Sequence, residues 1–561
     1  MLSAWIFGLT TVVIYVGSRW AEPVPTSRRR RVKFARCAVA VTILFLGSTI
    51  GGAAVAQKQG GTLRVWHRDS PANMSIFEEG TISIVAPIMG VFNNLVMFDP
   101  NVEQNTMASI VPDLAERWSW NEDGTELTFN LRSGVKWHDG EPFTAADVKC
   151  TFDLVQGKTK EKLRVNAREA WWLNLNEVTI KGDGQATFHL KRPQPAFIEL
   201  IASGFTPIYP CHVSPAQMRA HPIGTGPFKF VEFKPNQSIK VARNPDYWKP
   251  GLPYLDGVEW TIIPNRSTAL LAFLAGKFDM TFPYEVTIPM LKDVHSQMPE
   301  AICEVTPLNV APNLLVTRKP PFDSPDLRRA IAMTIDHKAF IDILGEGQGD
   351  IGTAMLPAPE GLWAMPTEMM EKLPGYDPDV AKRREEARKI MQSLGYGPDN
   401  RLSLKISARN LAIYRDPAAI LTDQLKQIWI DSEIDLVETA NWLPKLMRGD
   451  FTFAQSLVGS GLDDPDQNFY ENYICDSNRN YTKYCNGELD KLIDQQSMEP
   501  DQEARKNLVW QVDSKLQQDV VRPILYHMRQ GTCWRPEVKG IKLQVNSIYN
   551  GWRMEDVWLD R

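Results

Sequence analysis

The chain has 561 residues, of which 43% are hydrophobic and 23% are charged. This composition is ordinary for a globular protein, and the length predicts more than one hydrophobic core. The formal net charge is −5, but residues 1–56 carry seven basic side chains and one acid, so the remainder carries about −11. That acidity argues against a nucleic-acid partner.

The sequence of the N-terminal 56 residues predicts an export signal. A basic stretch at 28–36 precedes an apolar stretch at 37–50, and small residues at 54–56 form a cleavage site. We predict a signal peptide cleaved after Ala56 and a mature chain in the periplasm. The alternative is an uncleaved membrane anchor, which the short apolar stretch disfavours. A second apolar run at 1–20 is not needed for export, so we also expect a translation start further along the chain.

The six cysteines that follow the predicted cleavage site favour disulfides in an oxidising compartment. They are Cys150, Cys211, Cys303, Cys475, Cys485 and Cys533. We predict a disulfide between Cys475 and Cys485, which closes a short loop, and leave the other pairings open. No Cys-x-x-Cys or Cys/His cluster has zinc spacing, so no structural metal is predicted.

The stretch from residue 112 to 152 predicts a β-meander followed by a helix. Apolar and polar residues alternate between two Asp-Gly turns, which is typical of a strand with one buried face. Thr144 is placed to cap the helix that follows. The elements of this pattern are Asp123-Gly124, Leu127, Phe129, Leu131 and Asp139-Gly140.

The identities of the residues in this stretch carry a resemblance. The order Leu-Arg-x-Gly-Val-Lys-Trp-His-Asp-Gly-x-Pro-Phe-Thr-Ala-x-Asp-Val, at 131–148, closely resembles the signature of bacterial extracellular solute-binding proteins of the dipeptide/oligopeptide/nickel/opine type. These proteins are the receptor subunits of ABC importers. The resemblance extends from about Gly60 to Arg561 and implies an α/β, two-lobed periplasmic binding protein fold with an additional β-rich subdomain on the first lobe.

Under this resemblance we assign residues 57–90, 221–306 and 534–561 to the first lobe, 91–220 to its extra subdomain and 307–533 to the second lobe. Chain crossings near 306–317 and 530–536 are expected to act as hinges. We also predict a helix over 86–98, one helical run from Leu327 to Gly345, and parallel strands in the strand/helix alternation at 402–437.

The search for catalytic motifs finds no support for an enzyme. The sequence lacks a Gly-x-Ser-x-Gly elbow, a His-Glu-x-x-His motif and a P-loop. The eight histidines are scattered, and His138 falls in a predicted turn. No cofactor and no metal are predicted.

The Gly-rich segment before Asp464-Pro465-Asp466 is the most informative candidate site. The resemblance implies that this segment lies beside the cleft and that peptide-binding members place an aspartate there for the peptide's α-ammonium group. Here that position falls at Ser460 or Gly461, and neither is acidic. Asp463 is the nearest candidate, with turn formation before Pro465 as the alternative role. This departure weakens a dipeptide assignment and leaves longer peptides, opine-like conjugates and sugars open.

Three further residues are candidate ligand contacts. Arg409 and Asn410 follow a predicted strand, and an arginine there suits a bidentate carboxylate contact. Trp442 is placed to stack on a ligand. The alternatives are a solvated loop for the first two and a core position for Trp442.

The resulting hypothesis is a monomeric periplasmic receptor. It captures a peptide or other small solute between its lobes and delivers it to ABC permease and ATPase subunits at the inner membrane. The alternatives are a ligand-sensing receptor of the same fold, or a binder of an opine, a sugar or a metal complex.

Overall fold

The computed structural model describes residues 57–459 and 461–561, so the predicted signal peptide and Ser460 lie outside the described residues. Its strands are β1 (Thr62–His67), β2 (Val96–Phe98), β3 (Ile110–Pro112), β4 (Ala115–Trp120), β5 (Glu126–Leu131), β6 (Leu175–Ile180), β7 (Gln185–Leu190), β8 (Phe228–Lys234), β9 (Ser238–Arg243), β10 (Gly257–Ile262), β11 (Ile302–Pro307), β12 (Val310–Val316), β13 (Gly349–Asp350), β14 (Leu402–Arg409), β15 (Ile430–Val437), β16 (Phe453–Gly459), β17 (His527–Trp534), β18 (Val538–Lys539) and β19 (Trp558–Leu559). Its α-helices are α1 (Ile76–Glu79), α2 (Ile82–Ile88), α3 (Ala145–Val155), α4 (Phe197–Ala202), α5 (Pro215–Ala220), α6 (Arg266–Leu274), α7 (Ile288–Gln297), α8 (Pro325–Thr334), α9 (His337–Gly345), α10 (Thr367–Met370), α11 (Val380–Ser393), α12 (Ala412–Lys426), α13 (Thr439–Arg448), α14 (Pro465–Asn472), α15 (Gly487–Met498) and α16 (Gln502–Gln518).

The β-rich sheet has the strand order β4-β5-β7-β6 and is antiparallel throughout. Gly124 adopts a φ of 69° in the turn between β4 and β5, which the missing Cβ permits. The Thr144 side chain accepts a hydrogen bond from the Ala146 amide and begins α3, as the sequence predicts. Phe152 of α3 then packs edge-on against Phe188 of β7, with ring centroids 4.6 Å apart.

Two further sheets form the centres of the lobes. We call the part built on β1-β10-β9-β8, together with the β-rich sheet, the first lobe, and the part built on β12-β16-β14-β15 the second lobe. In the second lobe β14 runs parallel to β15 and β16, which confirms the predicted parallel strands, while β12 is antiparallel to β16.

The chain crosses between the lobes on two adjacent strands. β11 and β17 pair antiparallel, from Ile302 opposite Trp534 to Pro307 opposite Arg529. Ile524, just before β17, bridges to β12 of the second lobe, whereas Trp534 at its other end bridges to Met280 of the first lobe. β17 therefore reaches from one central sheet to the other.

Three disulfides hold separate parts of the fold. The structure pairs Cys475 with Cys485, the pair expected from the sequence. Cys150 is bonded to Cys211, which ties α3 to the segment before α5, and Cys303 is bonded to Cys533 across the β11–β17 ladder.

The predicted helix over 86–98 is wrong. α2 ends at Ile88 and Val96–Phe98 is a strand paired with β3. Asn93 donates from Nδ2 to Asp113 Oδ1 at 3.0 Å, and the Asn94 amide donates to Asp113 Oδ2 at 2.9 Å, so this turn is fixed by side-chain bonds. A fully buried apolar run has no polar face from which to tell a helix from a strand.

The predicted single helical run to Gly345 is also interrupted. Ile335 leaves the helical region with a ψ of 120°. The Asp336 side chain then accepts a hydrogen bond from the Ala339 amide at 3.1 Å and begins α9. Aspartate is favoured at the residue that begins a helix, because its side chain accepts hydrogen bonds from the first amides. The helical spacing of the apolar residues continues across Asp336, so the sequence pattern did not indicate the break.

Candidate ligand-binding cleft

Three adjoining cavities lie between the lobes, with volumes of about 460, 90 and 270 Å³. The first and second share Arg68 and Met528 in their walls, and the second and third share Gly80, Arg409 and Arg479. We call the three together the cleft. Its walls come from both lobes, so a solute inside it would contact both.

The strand ends explain why charged side chains meet here. Arg68 and Asp69 follow β1 of the first lobe, and Arg409 is the last residue of β14 in the second lobe. Each of these strands has a parallel neighbour, and ligands in α/β proteins bind beyond the carboxyl ends of such strands. Sequence order alone does not bring residue 69 to residue 409.

Arg409 bridges the two lobes. Its Nη2 donates to Asp69 Oδ2, its Nε donates to Thr439 Oγ1 at 3.1 Å, and its guanidinium carbon lies 5.6 Å from the centroid of the Tyr414 ring. Burial alone would raise the pKa of Asp69, but the Arg409 and Arg68 guanidinium groups hold it below its ordinary value. Arg409 is thus buried and already ion-paired, not a solvated loop residue.

Asn410 and Trp442 line different cavities. Asn410 faces the first cavity and donates from Nδ2 to Glu438 Oε1 at 2.8 Å. Trp442 lies within α13, not directly after a strand, and lines the third cavity. Its ring packs edge-on against Tyr414 with centroids 5.9 Å apart, and only 6% of its surface is exposed.

Asp463 and Gly461 lie away from the three cavities. The Gly461 carbonyl accepts hydrogen bonds from Ser547 Oγ at 2.8 Å and from Asn550 Nδ2 at 3.1 Å. Asp463 Oδ2 accepts from the Leu362 amide at 3.0 Å. Asp463 lines a separate cavity of about 20 Å³, and burial raises the pKa of its carboxyl to about 7.

One charged cluster in the cleft was not anticipated from the sequence. Glu285 lies between two arginines of the first lobe: Arg68 Nη1 donates to its Oε1 and Arg266 Nη2 to its Oε2, each at 2.8 Å. Burial alone would raise the pKa of Glu285, but these guanidinium groups lower it. No motif marks these residues, because their proximity depends on the fold.

A second cluster surrounds Glu471 of α14. Trp171 Nε1 donates to Glu471 Oε1 at 2.7 Å, Arg168 Nε lies 3.4 Å from the same oxygen, and Arg479 Nε lies 3.2 Å from Oε2. Trp171 and Arg168 belong to the first lobe, whereas Glu471 and Arg479 belong to the second. The lobes are therefore in direct contact beside the cleft.

Two further acidic residues, Glu78 and Glu79, line the third cavity. Glu78 accepts from Arg219 Nη1 at 2.8 Å and from the Arg164 amide at 3.0 Å. Glu79 accepts from Asn73 Nδ2 at 3.1 Å, and burial raises its pKa to about 7. Glu78 is therefore ion-paired, whereas burial favours the protonated form of Glu79.

Among the described residues, no group of three or more His, Cys, Asp or Glu side chains is arranged to hold a metal ion. No helix within 57–459 and 461–561 combines the length and apolar character that a membrane crossing requires.

Comparison with known proteins identifies the family to which the chain belongs. The family model for the middle region of bacterial extracellular solute-binding proteins, family 5, matches residues 109–480. The chain belongs to this family. It is a family of solute-binding proteins, not of enzymes.

Individual relatives agree with the family. The chain is 26% identical over 515 residues to the probable di/tripeptide-binding protein 5 of Pseudomonas aeruginosa, an alignment that covers 86% of this chain and 93% of the relative. Among solved structures it resembles Haemophilus influenzae OppA in complex with RPPGFSPFR, with a TM-score of 0.77, 21% identity, and coverage of 90% of this chain and 99% of the other. It is equally similar to AgaA of Agrobacterium tumefaciens in complex with agropinic acid, with a TM-score of 0.77, 21% identity, and coverage of 89% and 99%. These structural likenesses show that this family member has the two-lobed periplasmic binding protein fold.

Proposed function

We propose that this family member is exported to the periplasm and captures a peptide or peptide-like solute in the cleft. It then delivers that solute, as a monomer, to the permease and ATPase subunits of an ABC importer. The observation that carries the proposal is a cleft with walls from both lobes, in which the Arg409–Asp69 ion pair joins one lobe to the other. The names of the relatives, which include a di/tripeptide-binding protein, support a peptide-like cargo.

In this proposal the β11–β17 ribbon is the hinge. Residues 57–90, 221–306 and 534–561 move with the 91–220 subdomain as one body, and 307–533 moves as the other. The two crossing strands β11 and β17 are adjacent, which supports this assignment. If the cleft opens by a rotation at these strands, the backbone conformation changes mainly there.

The proposed ligand contacts are Arg409, Trp442 and Asn410. Arg409 offers a fixed guanidinium, Trp442 a flat apolar wall and Asn410 an amide in the wall of the first cavity. Asp463 and Gly461 lie outside the three cavities of the cleft, so the proposal does not include them among the contacts, and Ser460 lies outside the described residues.

The decisive experiment is recovery of the cargo. Protein purified from the periplasm is denatured, released small molecules are identified by mass spectrometry, and the refolded chain is titrated with them calorimetrically. We expect a peptide-like compound that binds with one-to-one stoichiometry and reduces the radius of gyration in solution scattering. A chain that releases nothing, and whose scattering and melting temperature do not change with a peptide library, would contradict the proposal.

A further inference from the structure

One acid in the wall of the cleft has no arginine paired with it. The other acids that line the three cavities each form an ion pair with an arginine; they are Asp69, Glu78, Glu285 and Asp416. Glu79 lines the third cavity, and no lysine, arginine or histidine of the described residues forms an ion pair with it. Glu79 is therefore the acid in this wall whose charge the protein does not compensate.

Glu79 is the last residue of α1, and its carboxyl is partly fixed by a neighbour. Asn73 Nδ2 donates to its Oε1 at 3.1 Å. Burial raises the pKa of the Glu79 carboxyl to about 7, and the neighbouring acids Asp69 and Glu78 act in the same direction. An ionised carboxylate without a counter-ion is costly to bury, so a cation that enters this cavity stabilises the ionised form.

The same cavity contains a second acceptor that lacks a donor. Asp69 is 3% exposed, and its Oδ1 makes no hydrogen bond within the described part of the chain. Arg68 Nε lies 3.8 Å from this oxygen, beyond hydrogen-bonding distance, and Arg409 is bonded to the other oxygen, which compensates the charge of Arg409. Carboxylates only accept hydrogen bonds, whereas an ammonium group only donates them, from three N–H bonds. The acceptors in this wall are therefore complementary to a solute group rich in donors.

Another wall of the third cavity is apolar. It is formed by α13 of the second lobe, which contributes Trp442, Leu443, Pro444 and Leu446. Lysine side chains commonly lay their aliphatic stem along such a surface and direct the charged end to a polar group. A cavity of about 270 Å³ with an uncompensated acid and an apolar wall suits a group of that kind.

We propose that the third cavity binds a primary ammonium group of the solute, attached to an apolar body, and that Glu79 is its counter-ion. The ammonium group belongs either to a lysine-like side chain or to the N-terminus of a peptide. This inference rests on the proposed function, because it names the chemistry of part of the captured cargo. The competing model is a Glu79 that stays protonated and donates its O–H to a neutral acceptor, and that model predicts no preference for a cation.

The cation site couples binding to closure of the lobes. Glu79 lies in the first lobe and α13 in the second, so both contacts exist together only when the lobes are closed. In the open form the solute loses its contact with α13. A solute that binds the closed form better than the open one shifts the equilibrium toward closure.

Binding of a cation at Glu79 releases a proton near neutral pH. The free carboxyl has a pKa of about 7 and a bound cation lowers it, so at lower pH one proton leaves for each cation that binds. Affinity therefore rises with pH, by up to about tenfold per unit below pH 7, and levels off above it. The acids that share the third cavity are ion-paired, and tyrosine and arginine ordinarily titrate above about pH 9, so we expect Glu79 to be the group that titrates. The other titratable groups that line this cavity are Asp69, Glu78, Arg164, Arg409, Tyr414, Arg479 and Tyr481.

The first test uses small ions and the full mature chain, stripped of solute by unfolding and refolding with its disulfides intact. n-Butylammonium chloride is titrated at about pH 8 and constant ionic strength, and the melting temperature is followed. Tetramethylammonium chloride, which has no N–H donor, is the matched cation. We expect a saturable rise in melting temperature with n-butylammonium and none with tetramethylammonium.

Peptides then identify the source of the ammonium group. N-acetyl-Ala-Lys-Ala is compared with N-acetyl-Ala-Gln-Ala, and trialanine with its N-acetyl form, by isothermal titration calorimetry. We expect the charged member of at least one pair to bind about tenfold more tightly, and that pair identifies a side chain or an N-terminus as the source. Titrations at about pH 6 in two buffers of different ionisation enthalpy should report the release of about one proton per peptide.

A single replacement with a matched control locates the effect. Glu79→Gln removes the charge and keeps the shape of the side chain. It should abolish the stabilisation by n-butylammonium, equalise the affinities of the two members of the pair, and remove the proton release. Glu503→Gln, at a glutamate whose side chain is 74% exposed and paired with Lys506, should change none of these. The melting temperature of the solute-free variant checks that it folds, and the proton release of the unaltered chain needs no variant.

Three results would overturn the inference. They are equal stabilisation by n-butylammonium in Glu79→Gln, no stabilisation by this ion in the unaltered chain, or peptide binding without proton release. Peptides that bind equally well with and without an ammonium group would overturn the cation site and leave solute capture standing. Stabilisation by n-butylammonium that Glu79→Gln removes, without binding of any peptide, would support the cation site and count against a peptide cargo.

Discussion

The replacement Asp463→Asn separates a structural role of this residue from a ligand-binding one. The Asp463 carboxyl accepts a hydrogen bond from the Leu362 amide, its backbone carbonyl accepts one from Trp363 Nε1 at 2.7 Å, and burial raises its pKa to about 7. An asparagine oxygen can keep the bond from Leu362 while removing the ionisable group. We therefore expect Asp463→Asn to fold and to bind solute as well as the unaltered chain.

The expected pH dependence follows from the two protonation equilibria. In the unfolded chain an aspartate loses its proton near pH 4, whereas folded Asp463 keeps it until about pH 7. The folded state binds more protons across this interval, so the contribution of Asp463 to stability falls as pH rises from about 4 to 7 and is constant above. The full difference corresponds to about 4 kcal/mol, and the partial exposure of Asp463 reduces our expectation to about 2 kcal/mol.

The assay is differential scanning calorimetry of both proteins from pH 4 to pH 8. We expect the melting temperature of Asp463→Asn, relative to the unaltered chain, to rise with pH by several degrees if one lobe unfolds as a unit. Asp423→Asn, which removes a carboxylate that is 80% exposed, is the control and should show no such trend. A difference that does not vary with pH would refute the reasoning, and a loss of solute affinity would return Asp463 to the ligand contacts.

Two further changes test a buried ion pair within the second lobe and the disulfide between the crossing strands. Arg505 donates to both oxygens of Asp464, at 2.8 and 2.9 Å, so Arg505→Met should lower stability by about 3 to 5 kcal/mol. Lys506→Met, its more exposed neighbour, should change little in the same calorimetric scan. Replacing Cys303 and Cys533 by alanine opens a loop of 230 residues and should cost up to about 5 kcal/mol. A melting temperature unaffected by that double change, or by reductant, would contradict it.

The local elements were accessible from the sequence because their signals are local. The Asp123-Gly124 turn needs a positive φ, and Thr144 needs only its own helix to act as a cap, so each can be read from a few neighbouring residues. The residues 86–98 were misread because a stretch buried on all sides has no periodic polar face. There the decision rests with Asp113, which lies well outside the window that a sequence pattern examines.

The cleft could be predicted only in part, for a related physical reason. Arg409 was found because it ends a strand, and strand ends gather at one edge of a parallel sheet. The partnership of Arg168 with Glu471 spans 303 residues of sequence and arises from the contact between lobes.

The disulfide between Cys303 and Cys533 limits how this molecule can move. It lies within the β11–β17 ladder, so the two crossings are joined both by main-chain hydrogen bonds and by a covalent bond. Neither strand can slide along the other or peel away from it. In the proposed opening of the cleft, the ribbon therefore has to bend or twist as a single unit. If a solute closes the lobes as proposed, the entropy lost on closure is smaller than for two independent connections, because the cross-link already excludes some of the relative orientations of the lobes.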